Sequence, residues 1–239
     1  MSGPVCRLLP YAVADGPHNM AADEVLLDAA CAGLASLRFY GWFEPTVSLG
    51  YFQPHAARLP GLPYVRRPSG GLMLVHHHEI TYALALPAGA SWQGGESWLA
   101  RMHRIIAAAL AEFGIASRLH EPPDTHCDTP LCFRHFTAGD LLVGGAKVAG
   151  TAQRKHRGAL MQHGGFLLAA SPFAPELTGL RELTGRNLGV EEMMGAIRQA
   201  FERATGWRLV SGDWTGGERE TIEGLVREKY ATAAWNDKR

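Results

Sequence analysis

Glycine is the residue that most limits how this chain can fold. It occupies 28 of 239 positions, and several glycines fall in pairs beside runs of β-forming residues. Gly70-Gly71 follows the strand-like LPYVRR, Gly144-Gly145 separates DLLV from AKVAGTAQRK, and Gly164-Gly165 lies within GALMQHGGFLLA. Lacking a Cβ, glycine supplies tight turns and lets backbone come close to a ligand. In a chain without repeats, this pattern predicts sheet hairpins, with Gly144-Gly145 as one hairpin turn.

Two further β-rich runs, LRFYGWF and TVSLGYF, are divided by Glu44-Pro45, and LMLVHHHEITYALALP reads as one long strand or a hairpin. Helices are expected from Asn19 to about Gly33, near Val190–Thr205 and near Gly217–Ala231. Another is expected from Glu96 to Phe113, where Trp98, Met102, Ile105, Ile106, Ala109 and Leu110 recur at helical spacing. Helices before, between and after the strands predict an α+β fold with helices packed on one side of a sheet. The length suits one domain, and 46% hydrophobic with 19% charged residues suits an ordinary core.

Lys+Arg 23 balance Asp+Glu 23, which weighs against a nucleic-acid partner held by phosphate neutralisation. No apolar run reaches the roughly 20 residues that span a bilayer, so no membrane partner is expected. The first residues lack the basic start and apolar block of a secretory signal, so the expected compartment is cytoplasmic. There the four cysteines, Cys6, Cys31, Cys127 and Cys132, should be thiols.

Several residues could carry chemistry. Arg66, Arg67, Ser69, Gly70 and Gly71 combine fork-shaped donors with a backbone nest suited to a phosphate or carbonyl oxygen, or form a hairpin turn with solvated arginines. Lys147 is out of place in an apolar, glycine-rich strand, where its ammonium could hold an oxygen as charge develops, or could simply point outward. Cys132 could exchange acyl groups with a thioester, or be an inert thiol. His126, Cys127, Cys132 and His135 could in principle bind zinc, but their C-x4-C-x2-H spacing matches no tight zinc pattern, and no metal is expected. Strand alternation would place His76 and His78 on one face and His77 on the other. His163 precedes a close-approach glycine pair. The basic turn Arg154–Arg157 is a solvated tip, or could steer an acidic protein domain.

Taken in order, NMAADE, LRFYGWFEPTVSLGYFQ, RRPSGG with His76 and ITYALALP, and GDLLVGGAKVAGTAQRK with LMQHGGFLL resemble the lipoate–biotin protein ligase superfamily over residues 19 to 168. The similarity is to its octanoyltransferase and lipoate-protein ligase A branches. The resemblance implies a mixed central β-sheet flanked by helices, the class II biotin/lipoyl synthetase-like catalytic domain. Residues 1–239 would form a single such domain, with a core of about 19–205 and a C-terminal helical end of about 206–239.

It further implies an acyl pocket under the RRPSGG loop. Substrate contacts would come from Arg66, Arg67, Ser69, Gly70, Gly71, His76, Gly150, Thr151, Ala152, His163 and Gly164. In the cysteine-dependent branch a Cys-Phe pair precedes the lysine strand, where Cys132-Phe133 stands here. Cys132 would then take an octanoyl group from acyl carrier protein, and Lys147 would stabilise the oxyanion. A lysine of a lipoyl domain, or of a glycine cleavage H-type protein, would accept it. No cofactor is required on that reading, because the thioester already stores the driving force. Gly139-Asp140 resembles the ligases' Asn-Asp instead, which implies an ATP- and Mg-dependent lipoate ligase domain lacking its accessory part. A non-catalytic acyl-binding module is the third reading. Leu72 and His77-His78 depart from the family pattern.

Overall fold

The computed structural model describes residues 3–89 and 97–239. Nine strands form the larger sheet: β1 (Val5–Leu8), β2 (Ala12–Ala14), β3 (Ser36–Trp42), β7 (Glu79–Leu86), β8 (Arg118–Leu119), β9 (Leu141–Val143), β10 (Ala146–His156), β11 (Ala159–Leu167) and β12 (Arg208–Ser211). Their order is β12-β1-β3-β7-β11-β10-β9-β8, with β2 beside β3. β12, β1, β2 and β3 pair in parallel, and the pairings from β3 across to β8 are antiparallel. A smaller sheet holds β4 (Thr46–Leu49) between β5 (Tyr64–Arg66) and β6 (Leu74–His76). The expected α+β class with a mixed central sheet flanked by helices is the observed one.

The helices are α1 (Gly16–Cys31), α2 (Trp98–Glu112), α3 (Leu180–Thr184), α4 (Val190–Thr205), α5 (Gly216–Leu225) and α6 (Ala233–Asn236). They cover both faces of the large sheet, not one as the element pattern suggested. β7 shows why. All eight of its residues are buried, which is the signature of a strand enclosed on both sides. Ile80, Tyr82, Leu84 and Leu86 pack with Met102, Ile105 and Ile106 of α2 and Ile197 and Phe201 of α4. Ala83 and Ala85 face Leu26, Leu27 and Ala30 of α1.

Capping chemistry sets the helix ends. α1 starts three residues before the expected Asn19 because the Asp15 carboxylate accepts from the His18 N–H at 2.9 Å and Pro17 suits the first turn. Ser97 caps α2, and the expected start at Glu96 lies outside the described residues. α4 runs Val190–Thr205 as expected and ends at Gly206, at φ +70°. The C-terminal helix expected to Ala231 is instead α5, a π-helical turn over Val226–Tyr230, and α6.

Two expectations about strands need correction. LMLVHHHEITYALALP is neither one strand nor a hairpin: it breaks at His77-His78 and contributes β6 to the small sheet and β7 to the large one. The runs LRFYGWF and TVSLGYF likewise supply β3 and β4 to different sheets. The chain crosses between sheets twice, and the site described below lies between them. β1, β2 and β12, with only three or four residues each, carried no sequence signal of their own. Among the described residues no helix is long and apolar enough to cross a membrane.

α2 carries a fully buried histidine. His103 Nδ1 donates to the Gly139 carbonyl at 2.6 Å, and burial pulls the imidazole below its ordinary pKa. The folded state therefore prefers the neutral ring, so the stability it contributes is present at high pH and lost as pH falls below about 6.5, where the unfolded chain takes up the proton. His103→Gln should cost about 1–3 kcal/mol at pH 8, and the gap to wild type should narrow below pH 6.5 in urea titrations. A gap that widens on acidification would contradict the assignment.

Candidate active site

The glycine-rich hairpin places a lysine where apolar sequence would not suggest one. β9 and β10 pair from Ala146↔Val143, but the register slips between Lys147 and Ala149, leaving Val148 as an extra residue. Such a bulge re-aims the neighbouring side chain. Lys147 consequently turns inward, with its side chain only 3% exposed, and its Nζ lies 2.7 Å from Asp140 Oδ2. It also donates to the carbonyls of His135 at 3.0 Å and Cys132 at 3.3 Å. Gly150 is what allows this path: a Cβ there would meet Lys147 Cε at 2.8 Å. Asp140 Oδ2 accepts further hydrogen bonds from the Thr137 N–H and hydroxyl, so that buried oxygen is not left on the lysine alone.

Cys132 opens a short 3₁₀ turn over Cys132–Arg134, and its N–H is anchored on the Met73 carbonyl at 2.8 Å. Its Sγ is 3.9 Å from Lys147 Nζ, so the sulfur and the amine picked out in the sequence meet across 15 residues of chain. Cys132 is half-buried, unlike Cys6, whose thiol burial pushes up to about 12 and renders inert as a nucleophile.

Cys132 borders a narrow recess. Met20 of α1, Tyr40 and Trp42 of β3 and Leu74 of β6 supply its apolar walls. Gly71, Gly150, Thr151, Ala152, His163 and Gly164 also line it, as do Arg67 and His76. Lys147 lies behind Cys132 and borders a second cavity with Phe133, Thr125 and Leu177.

The candidates in the RRPSGG loop divide by direction. Arg66 does not line the recess. Its side chain is fully buried and bonds to the carbonyls of Asn236, Gly50, Tyr51 and Gln53, while its N–H donates to Asn236 Oδ1 at 2.8 Å. It clamps α6 beneath the loop, so the solvated-arginine and substrate-binding readings both give way to main-chain bonding. Arg67 lines the recess but spends its donors on Ser48, Gly70 and Leu72 carbonyls, and burial lowers its guanidinium to about 10. Gly50 makes room for that loop, since a Cβ there would overlap the Gly71 carbonyl. Ser69 and Gly70 sit just outside the lining, Ser69 being buried.

Two buried polar chains support the walls, and sequence reading missed most of their members. In the first, Asp23 Oδ2 accepts from His163 Nδ1 at 2.7 Å and from the Tyr40 hydroxyl at 3.0 Å, while His163 Nε2 meets Ser69 Oγ at 2.5 Å. Asp23 also lies 3.6 Å from Arg38 Nε. In the second, His76 stacks on Trp42 with centroids 3.8 Å apart, contacts Ser48 Oγ at 2.7 Å through Nε2, and binds Glu79 through Nδ1. Thr81 links Glu79 at 2.6 Å to Trp42 Nε1 at 2.9 Å. Asp23, next to Glu24, and Glu79, directly after three histidines, carry no local signal that marks them. The strand-alternation reading of His76 and His78 fails, because β6 ends at His76; beyond it the His77 and His78 rings stack on each other, 3.7 Å apart.

The ion pair predicts an asymmetry. Asp140→Ala would leave the Lys147 ammonium buried without its counter-charge and should cost about 3–5 kcal/mol in denaturant unfolding. Lys147→Met should cost less, since the Thr137 donors still hold Asp140. Equal losses would contradict this arrangement.

Comparison with known proteins gives the site its context. Residues 15–175 match the family model of the lipoyl protein ligase A/B catalytic domain. The chain is 34% identical to the octanoyltransferase LipM of Symbiobacterium thermophilum, covering 96% of this chain and 97% of that one. It is 30% identical to the octanoyltransferase LipM of Geobacillus kaustophilus over 100% of both. Its fold matches the putative lipoate protein ligase Ta0514 of T. acidophilum with bound lipoic acid, at TM-score 0.81 and 19% identity over 100% of both chains. It also matches a lipoate-protein ligase A bound with ATP, at TM-score 0.80 and 20% identity over 99% of both chains. The chain therefore belongs to the lipoyl protein ligase A/B catalytic domain family, within the lipoate–biotin protein ligase superfamily, and is an acyltransferase.

Proposed function

We propose that this enzyme moves an octanoyl group from acyl carrier protein to a lysine of a lipoyl domain, or of a glycine cleavage H-type protein, through a thioester on Cys132. The observation that carries this reading is the 3.9 Å approach of Cys132 Sγ to Lys147 Nζ at the edge of the recess. The relatives named octanoyltransferase support the choice of acyl group.

In the first half-reaction the Cys132 sulfur attacks the carbonyl carbon of the carrier-bound octanoyl thioester. The new C–S bond forms, the carrier's C–S bond breaks, and the carrier leaves as a thiol after taking up the proton lost by Cys132. The Lys147 ammonium lies beside the sulfur, where it stabilises the negative charge that passes from sulfur to carbonyl oxygen and on to the leaving sulfur. Its ties to Asp140 and two carbonyls hold it in place before substrate arrives, so little reorganisation is needed. In the second half-reaction the acceptor lysine amine attacks the Cys132 thioester. An amide C–N bond forms, the C–S bond breaks, and the amine's proton returns to Cys132. Exchange of one thioester for another is nearly isoenergetic and the amide lies downhill, so the reaction calls for no nucleotide or metal.

The recess suits the acyl tail. Trp42, Tyr40, Met20 and Leu74 present apolar surface, and the glycines of β10 and β11 leave backbone exposed beside it. We assign the reaction to the cytoplasm, where thiols stay reduced; the four cysteines are unpaired in the fold.

Incubation with octanoyl carrier protein should give an octanoyl adduct by intact mass, absent in Cys132→Ser. Lys147→Met should lower transfer to a lipoyl domain by at least about 10²-fold. An adduct that persists in Cys132→Ser overturns the covalent route, and modification that requires ATP and free lipoate favours the ligase reading instead.

A further inference from the structure

The far end of the lysine-bearing strand brings together three metal-ligating side chains outside the recess. Asp28 and Cys31 lie three residues apart in the last turn of α1, which puts them on one face. His156 is the last residue of β10, at the tip of the β10–β11 hairpin. One ligand atom from each residue lies within 4.8 Å of the other two. From this geometry we propose a Zn²⁺ site formed by Asp28, Cys31 and His156.

The donor set selects the ion. Carboxylate, thiolate and imidazole together match a cation of borderline softness, and Zn²⁺ takes all three in a tetrahedron. Bonds of about 2.0–2.3 Å place tetrahedral ligands about 3.3–3.8 Å apart, so the side chains need to close by about 1 Å. Asp28 and His156 are exposed and Cys31 half-buried, which leaves their side chains room to change rotamer.

The donors are also available. The Asp28 carboxylate and the His156 ring have no hydrogen-bond or ion-pair partner among the described residues. The Cys31 thiol donates to the His156 carbonyl at 3.4 Å, which already holds the sulfur against the hairpin. Besides His156 itself, the charged neighbours of Asp28 are Glu24, Arg157 and Lys229. Lys229 is bound to Glu24 at 2.6 Å, which leaves Arg157 as the cation opposing the metal. Binding displaces the Cys31 proton, so affinity rises with pH.

Three protein ligands leave a fourth position to water, the pattern of an exchangeable or reactive zinc rather than a closed structural one. The ion would pin the end of α1 to the end of β10. The same strand carries Lys147, and its Arg154 donates to the Pro68 carbonyl beside the recess at 2.9 Å. The site stands on different residues from the transfer chemistry, and its test does not depend on that chemistry.

The test is Zn²⁺ titration of the chelator-stripped protein against a chromophoric chelator, with Co²⁺ substitution read in the near ultraviolet for a thiolate charge-transfer band. One equivalent is expected to bind, with that band present and with a higher melting temperature. Cys31→Ser and His156→Gln should each weaken binding more than about tenfold, because even partners that only support ligands are worth about 10–100-fold. Cys127→Ser, which removes a thiol from the loop that carries His126 and His135, should leave affinity unchanged. Unaltered affinity in Cys31→Ser and His156→Gln, loss of binding in Cys127→Ser, or a Co²⁺ complex without the thiolate band overturns the proposal.

Discussion

A buried ammonium without a counter-charge is among the costliest features a domain can contain, and the Lys147–Asp140 pair governs how this one is assembled. Asp140 is held by Thr137, Lys147 by Asp140, and the carbonyls of Cys132 and His135 by Lys147. The pair thus joins the β9–β10 hairpin to the irregular loop that carries Cys132. Removing the charge from water is tolerable only because every donor of the amine finds an acceptor. The result is a positive group fixed beside a sulfur, with its position settled by folding rather than by substrate.

The recess depends on a second constraint, the passage of the chain from one sheet to the other. β3 and β7 belong to the large sheet, while β4 and β6 belong to the small one. At both crossings polar side chains are drawn inside: Trp42 and Thr81 from one sheet meet His76 and Ser48 from the other through Glu79. Such networks give less net stability than apolar packing of the same volume. They give direction instead, since each member has one arrangement that satisfies its neighbours. The Asp23–His163–Ser69 chain does the same for the wall formed by β11 and the RRPSGG loop.

Much of this was legible before folding. Helical spacing marked α2, the Gly144-Gly145 turn marked the β9–β10 hairpin, and an amine in a glycine-rich strand marked Lys147. The misreadings have physical causes. LMLVHHHEITYALALP keeps strand character throughout, and nothing local reports that His77-His78 is a corner between sheets. Arg66 and Arg67 look alike in sequence, yet one faces Asn236 and the other Ser48, because successive side chains leave an extended backbone in opposite directions. Nothing local marks Asp23, because its partners, His163 and Tyr40, are remote in the chain. The single-sided sheet was expected from element order alone, which does not report that every residue of β7 is buried.

Residue types, periodicity and ordered motifs were enough to determine the α+β class and the family and to single out Cys132 and Lys147 as candidates, because these depend on local pattern and on side-chain chemistry. Only the tertiary structure decided that Cys132 and Lys147 lie 3.9 Å apart, that Arg66 serves the fold, and that Asp23 and Glu79 stand behind the histidines. The reason is that distance and burial are properties of long-range pairing. A one-residue slip at the Val148 bulge would send the lysine to the other face of the strand, and no local feature of the sequence registers that slip.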